Sequence, residues 1–251
     1  DLECRLGGHL DALVMGREAG LELAVETLAT AAEYGEVFTV FHLGLHAQPD
    51  LALAGIAPPE ALTWDQVEAL GAATAWCTPD RTASRMRSWI DGQDPMATWI
   101  ALDVCGRRRV DPKGHLKPLL AHRDPRVATR AMQLAGELGR ADLVPDLVRS
   151  AEGADPALRF WACWAAALLG ERKTSPAVLA AFVTPDTPAP LARMTAELLP
   201  LVLDDRGARA AIARLMSERL TERWGIVATA ALGASDTLDW LLRQMNEPTL
   251  A

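Results

Sequence analysis

His42 and His46 lie four residues apart, so on a helix both imidazoles project from one face, as in helical metal-binding pairs. No Glu follows His42 to act as a base and no third ligand stands nearby in the sequence. The pair therefore reads as half-exposed structural histidines, and no metal or other cofactor is expected. Trp99 and Asp103 also sit one helical turn apart, just ahead of Arg107, Arg108 and Arg109. A carboxylate, an indole and a run of guanidiniums are the groups that stabilise positive charge on a sugar, stack on a base and hold phosphates. The plainer reading puts Trp99 in a core and turns Asp103 to water. Cys4, Cys77, Cys105 and Cys163 are far apart and never form C-x-x-C, which favours buried thiols in a reducing compartment over a disulfide framework. No G-x-S-x-G elbow, Gly-rich phosphate loop or Cys–His pair at a telling spacing appears. Neither nucleophilic catalysis nor nucleotide binding has a warrant, and no catalytic residue is expected.

Residues that bind are easier to nominate than residues that react. The net charge of −8 is uneven: residues 1–90 hold 13 acidic against five basic side chains, whereas 91–251 balance at 20 each. Within the balanced part, 106–130 carries eight basic residues against Asp111 and Asp124, with Arg107, Arg108, Arg109, Lys113 and Lys117 as candidate contacts. His115 and His122 fall in the same segment, where they either tune its charge with pH or simply occupy the surface. The acidic N-terminal third would repel a duplex, so nucleic acid is the lesser expectation. Further on, Phe160, Trp161 and Trp164 crowd into five positions, just over one helical turn, and cannot all face the same way. Core packing is favoured, but at least one must approach the surface, and Trp161 is a candidate anchor. Asp142, Asp146 and Arg149 fall on the polar side of a short helix and line either a binding surface or a merely solvated one.

These side chains are positioned by a repeated helical unit. DPRVATRAMQLAGELGR opens at Asp124 and DPALRFWACWAAALLGE opens at Asp155, 31 residues later; Gly139 and Gly170, which close the two helices, are also 31 apart. Asp accepts hydrogen bonds from a helix's first turn, Pro fits the first helical position, and Gly takes the left-handed conformation that ends a helix. Val127, Ala131, Leu134, Ala135 and Leu138 form one apolar stripe, and a shorter helix through Leu143, Val144, Leu147 and Val148 follows. Such a hairpin cannot bury its own apolar side, so copies must stack. Asp94 and Pro95 start a related unit 30 residues before Asp124, and Asp111 and Pro112 start its partner helix. After the clear copies, a helix begins near Pro190, Ser217 is a plausible cap for the next opening, and Asp236 caps a last helix, TLDWLLRQM. Ahead of residue 90 we expect helices over Leu2 to Met15, Glu18 to Tyr34 and Glu36 to His46, the last preferred to a strand because its neighbours are helical. A loop from Pro49 to Pro59 precedes a helix capped by Thr63 and Asp65, and Thr78 and Pro79 open another. The expected domains are 1–90, acidic and helical, and 91–251, the repeat array.

The run from Asp124 to Gly139, with ADLVPDL after it, resembles the short HEAT-like repeat of phycobilin lyase subunits. That resemblance implies an all-α fold, a right-handed α-α superhelix or HEAT-like solenoid behind an N-terminal helical region, and it carries no lyase chemistry. RVDP (109–112), AGELGR (135–140), RFWACWAAALLG (159–170) and WLLRQMNEPTLA (240–251) are also similar to phrases of an uncharacterised bacterial HEAT-like-repeat protein family, sometimes encoded beside type VI secretion genes. Similar proteins continue past residue 251, so the resemblance implies a longer C-terminal extent. The Trp99 and Asp103 pair itself resembles the arrangement in HEAT-like alkylpurine DNA glycosylases, which would imply base excision.

Composition agrees with a folded, helical chain: half of the 251 residues are hydrophobic, and eight Trp accompany one Tyr and four Phe. No apolar run is long enough to span a membrane, and DLECRLGG lacks the pattern of a signal peptide, although an upstream segment could have been removed because the chain begins without Met. The expectation is a cytoplasmic, non-catalytic scaffold or adaptor for a protein partner. A nucleic-acid binder or glycosylase-like enzyme using 106–130 is the alternative.

Overall fold

The computed structural model describes residues 2–30, 33–47 and 63–244; the loop expected from Pro49 to Pro59 and the end of the WLLRQMNEPTLA phrase lie outside them. The described residues form fifteen α-helices and no strand. They divide into two compact units, Asp1–Arg130 and Ala131–Ala251, at a different point from the change of composition near residue 90.

The first unit contains α1 (Leu2–Met15), α2 (Arg17–Thr30), α3 (Tyr34–Ala47), α4 (Trp64–Trp76), α5 (Pro79–Ile90), α6 (Pro95–Arg108) and the short α7 (Leu116–Leu119). Its central element is α4. Thr63 and Gln66 start it with a reciprocal capping box, in which Gln66 Oε1 accepts from Thr63 N–H and Thr63 Oγ1 from Gln66 N–H. Val67 and every residue from Ala69 to Thr74 are buried, because α3 packs on one side of the helix and α6 on another. A helix that is apolar almost all round belongs in the middle of a stack. Val67 and Leu70 alone contribute about 1.5–3 kcal/mol each by burial. The stretch with the histidines is helical, as expected, and buries Val37, His42, Leu43 and Leu45.

The second unit begins within α8 (Pro125–Glu137) and continues through α9 (Val144–Ser150), α10 (Pro156–Leu168), α11 (Ser175–Ala180), α12 (Ala189–Val202), α13 (Asp205–Met216), α14 (Glu222–Leu232) and α15 (Leu238–Gln244). Here α10 packs on α9, α11 and α12 through Phe160, Ala162, Cys163, Ala165, Ala166 and Ala167. Small side chains let the helices approach closely: a Cβ added at Gly136 would lie 3.0 Å from the Ala165 Cα.

The repeat landmarks behave as their chemistry demands. Asp94, Asp124 and Asp155 each accept from backbone N–H groups of the helix they start, at 3.0, 2.9 and 2.8 Å. Gly139 and Gly170 take positive φ, 71° and 94°, after α8 and α10. The corresponding position after α6 is Arg109, left-handed at φ 52° despite its side chain. Two expected landmarks are corrected. Ser217 ends α13 instead of opening a helix; α14 starts after Thr221, and α13 is an additional helix capped by Asp204. Asp236 lies in a 3-10 turn before α15, and its carboxylate pairs with Arg209 at 3.0 Å.

Candidate functional site

Trp99 packs against the core of the first unit, as the plainer sequence reading expects, whereas Asp103 departs from that reading. Asp103 is buried, so its expected exposure to water is corrected. One oxygen accepts from Arg107 Nε at 2.6 Å and the other from Arg130 Nε at 3.3 Å. The carboxylate also presses against the backbone of α4: a Cβ on Gly71 would meet Asp103 Oδ2 at 2.5 Å. Glycine is thus required there by proximity. Trp99 is half-buried and meets Trp64 edge to face, with centroids 5.7 Å apart. The Arg126 guanidinium covers the Trp64 ring at 4.2 Å. Asp103 is a junction between α4, α6 and α8 within the first unit, and both of its oxygens are engaged by guanidiniums.

The neighbouring arginines point in different directions. Arg108 turns inward and donates to the carbonyls of Thr74, Ala75 and Cys77 and to Thr82 Oγ1. It satisfies the carbonyls at the C-terminal end of α4 that have no intrahelical partner. Arg109, Lys113 and Lys117 are exposed. Lys113 has positive φ, and its N–H donates to Asp111 Oδ1 at 2.6 Å. Beside them a cleft of about 450 Å³ opens between α5 and the end of α6, with Met86, Ile90, Val104 and Val110 as apolar lining and Arg108 and His115 as polar lining. His115 Nδ1 and Asp91 Oδ1 pair at 2.9 Å. His122 accepts from Asp124 N–H at 3.0 Å and so supports the start of α8. The basic segment therefore combines an apolar cleft with cations, of which Arg107, Arg108, Arg126 and Arg130 are bound to other parts of the unit.

His42 and His46 share a face of α3, with rings 4.6 Å apart, and the structure adds a residue that their spacing did not reveal. Cys77, immediately after α4, puts its Sγ 3.9 Å from His42 Nδ1. The donor atoms of His42, His46 and Cys77 all lie within 4.8 Å of one another. His42 is buried, not half-exposed as expected, and His46 is half-buried. Burial, then the neighbouring His46, push His42 down to about 4 against the opposing pull of Asp11, so its imidazole is neutral at pH 7. Burial also lowers His46, reinforced by Arg81 and opposed by Asp11. The Cys77 thiol is raised to about 11 by burial, although Arg108 and Arg81 pull the other way. Such a thiol is not an activated nucleophile. Cys105 and Cys163 are also buried thiols, as expected, whereas Cys4 is exposed.

In the second unit the candidate residues divide by chemistry. Asp142 is exposed and receives both Nε and a terminal nitrogen of Arg140, each at 2.8 Å. Asp146 pairs with Arg149 at 3.1 Å. Exposed pairs of this kind contribute little to stability, about 0–1 kcal/mol. The aromatic cluster splits as steric reasoning requires. Phe160 is fully buried and touches Phe182 edge to face at 5.1 Å, while Trp161 and Trp164 are half-buried and contact each other edge to face at 5.5 Å.

Sequence reasoning missed Cys77, Gly71 and Arg130 as partners of the residues it singled out. Arg130 carried a usable signal, a cation at an otherwise apolar stretch of α8; Cys77 and Gly71 carried none, since their roles arise only from packing. Among the described residues no helix is long and apolar enough to cross a membrane. Residues 114–199 match the family described as HEAT repeats, a span that runs from before α7 into α12 and includes both clear copies of the unit. No curated protein and no solved structure matches the chain. Helices packed in neighbouring pairs and the matched span together show an all-α, HEAT-like solenoid fold.

Proposed function

We propose that this chain is a non-catalytic, cytoplasmic protein-interaction module, whose HEAT-like hairpins present the Trp161 and Trp164 pair to a protein partner. The observation that carries this reading is the position of that pair, inside the matched repeats and only half-buried. Tryptophans held against each other edge to face lose little freedom on binding and still have apolar area to bury, as interface anchors do. HEAT repeats are common protein scaffolds, and that analogy supports the reading as a fold-level argument. The likeness of AGELGR and RFWACWAAALLG to proteins encoded beside type VI secretion genes supports a partner from such a machine. The inward or paired placement of Arg107, Arg108, Arg126 and Arg130 supports a protein partner over a nucleic acid.

The test is capture from host lysate by tagged wild-type chain and by the double variant Trp161→Ala/Trp164→Ala, with and without nuclease, read by mass spectrometry. A protein retained by the wild type after nuclease and lost by the double variant is the expected result. Equal capture by both chains removes the tryptophans from the account. Recovery that disappears with nuclease moves the function to nucleic acid and to Arg109, Lys113 and Lys117.

A further inference from the structure

Three donors of metal-binding type converge in the first unit from two helices. His42 and His46 are one turn apart on α3, and Cys77 is the residue at which α4 ends. Donor atoms around a tetrahedral zinc ion stand about 3.3–3.6 Å apart, given metal–nitrogen and metal–sulfur bonds of about 2.0–2.3 Å. The donors here lie within 4.8 Å of one another, so side-chain movements of about 1 Å bring them onto one ion. We propose that His42, His46 and Cys77 form a three-ligand site for a divalent transition-metal ion of the zinc class, with a fourth position open on the His46 side.

Several features prepare the site. The Arg108 guanidinium holds the Cys77 carbonyl, and Arg81 donates to the His46 carbonyl at 2.8 Å, so the backbones at both edges of the site are tied down. Phe38 stacks on the His42 ring at 5.9 Å and fixes its plane. Asp11 acts electrostatically on both imidazoles and supplies negative charge beside an incoming cation. A thiol–imidazole hydrogen bond would account for Cys77 and His42 alone; it gives no role to the second imidazole turned toward the same point. One thiolate and two imidazoles suit zinc-class ions and do not suit magnesium or calcium, which take oxygen ligands. On loading, the Cys77 S–H bond breaks, its proton passes to solvent and the sulfur pair forms the metal–sulfur bond. Each neutral imidazole donates one nitrogen lone pair, and nothing is oxidised or reduced.

The test is titration of the chelator-stripped full chain with cobalt(II) under reducing conditions, followed by displacement with zinc. The expected result is a single ion per chain, a near-ultraviolet thiolate-to-cobalt charge-transfer band and the visible absorption of tetrahedral cobalt. Cys77→Ser abolishes the charge-transfer band. His46→Gln weakens zinc by at least about 10–100-fold, the loss that removal of even an outer-shell partner brings. Cys4→Ser leaves both readings unchanged. Absence of the band in the wild type, or its survival in Cys77→Ser, overturns the proposal. Should Cys77→Ser fail to fold, His46→Gln decides the matter at a half-buried position, and an unchanged zinc affinity there overturns the site.

Discussion

The two units are held together by different chemistry. In Asp1–Arg130 the interior contains charge, Asp103 between Arg107 and Arg130 and Arg108 on the last carbonyls of α4, and beside it the uncharged polar pair His42 and Cys77. In Ala131–Ala251 the ion pairs Arg140–Asp142, Asp146–Arg149 and Arg209–Asp236 lie at the surface, and the interior is mostly alanine and leucine with a few aromatic side chains, its buried polar groups being the hydroxyls of Ser175, Thr195, Thr221 and Thr229. Apolar packing at period 3.6 can be repeated in copy after copy, and it leaves the outward positions open to vary. A buried charge needs particular partners from particular elements, so it marks a place that has one arrangement only. On the proposed reading the repeats offer a surface to a partner, whereas the polar interior of the first unit is where single residues are not exchangeable.

The largest test of this contrast is Asp103→Ala. It removes the carboxylate from the buried Arg130 guanidinium and should cost about 3–5 kcal/mol, read by denaturant unfolding. A loss under about 1 kcal/mol would mean that the interior charges are not structural. Gly136→Ala probes the other unit, where the new methyl carbon meets the Ala165 backbone; about 1–3 kcal/mol is expected from overpacking. The reverse sign is expected for Arg109→Gly, which places glycine at the left-handed end of α6 as the later copies do and should stabilise by about 1 kcal/mol. The smallest effect belongs to Glu171→Gln. Burial alone would raise the Glu171 carboxyl, but hydrogen bonds from the Ser175 hydroxyl and from the N–H groups of Ser175, Lys173 and Thr174 outweigh it and hold it at about 2, below its ordinary 4.5. Its contribution, about 0.5–1 kcal/mol, is full above pH 4.5 and is lost as pH falls through about 2. The difference between wild type and Glu171→Gln should therefore shrink across that window, and a constant difference would deny the carboxylate its capping role.

The same contrast explains what the sequence disclosed. Asp94, Asp124 and Asp155 were legible as helix starts, and Gly139 and Gly170 as helix ends, because capping is local chemistry between residues a few positions apart. The closure at Arg109 was hidden by an arginine standing where its counterparts have glycine. The half-buried position of Trp161 followed from its being about 100° round the helix from Phe160. The polar interior was not legible. Asp103 and Arg130 are 27 residues apart, and Cys77 follows His42 by 35, so their meeting depends on how α3, α4, α6 and α8 pack. His42 and His46 announced a shared face, but only the end of α4 supplies the third donor. Ser217 and Asp236 misled because an isolated serine or aspartate fits many turns besides the start of a helix.

On the proposed reading a protein partner covers the tryptophans of α10. Hydroxyl-radical footprinting of the chain, alone and in the captured complex, reads this at individual side chains. Protection of Trp161 and Trp164, with Arg109, Lys113 and Lys117 as reactive as in the uncomplexed chain, is the predicted result. Unchanged oxidation of both tryptophans in a complex that protects 106–130 would contradict the account and place the interface on the basic segment.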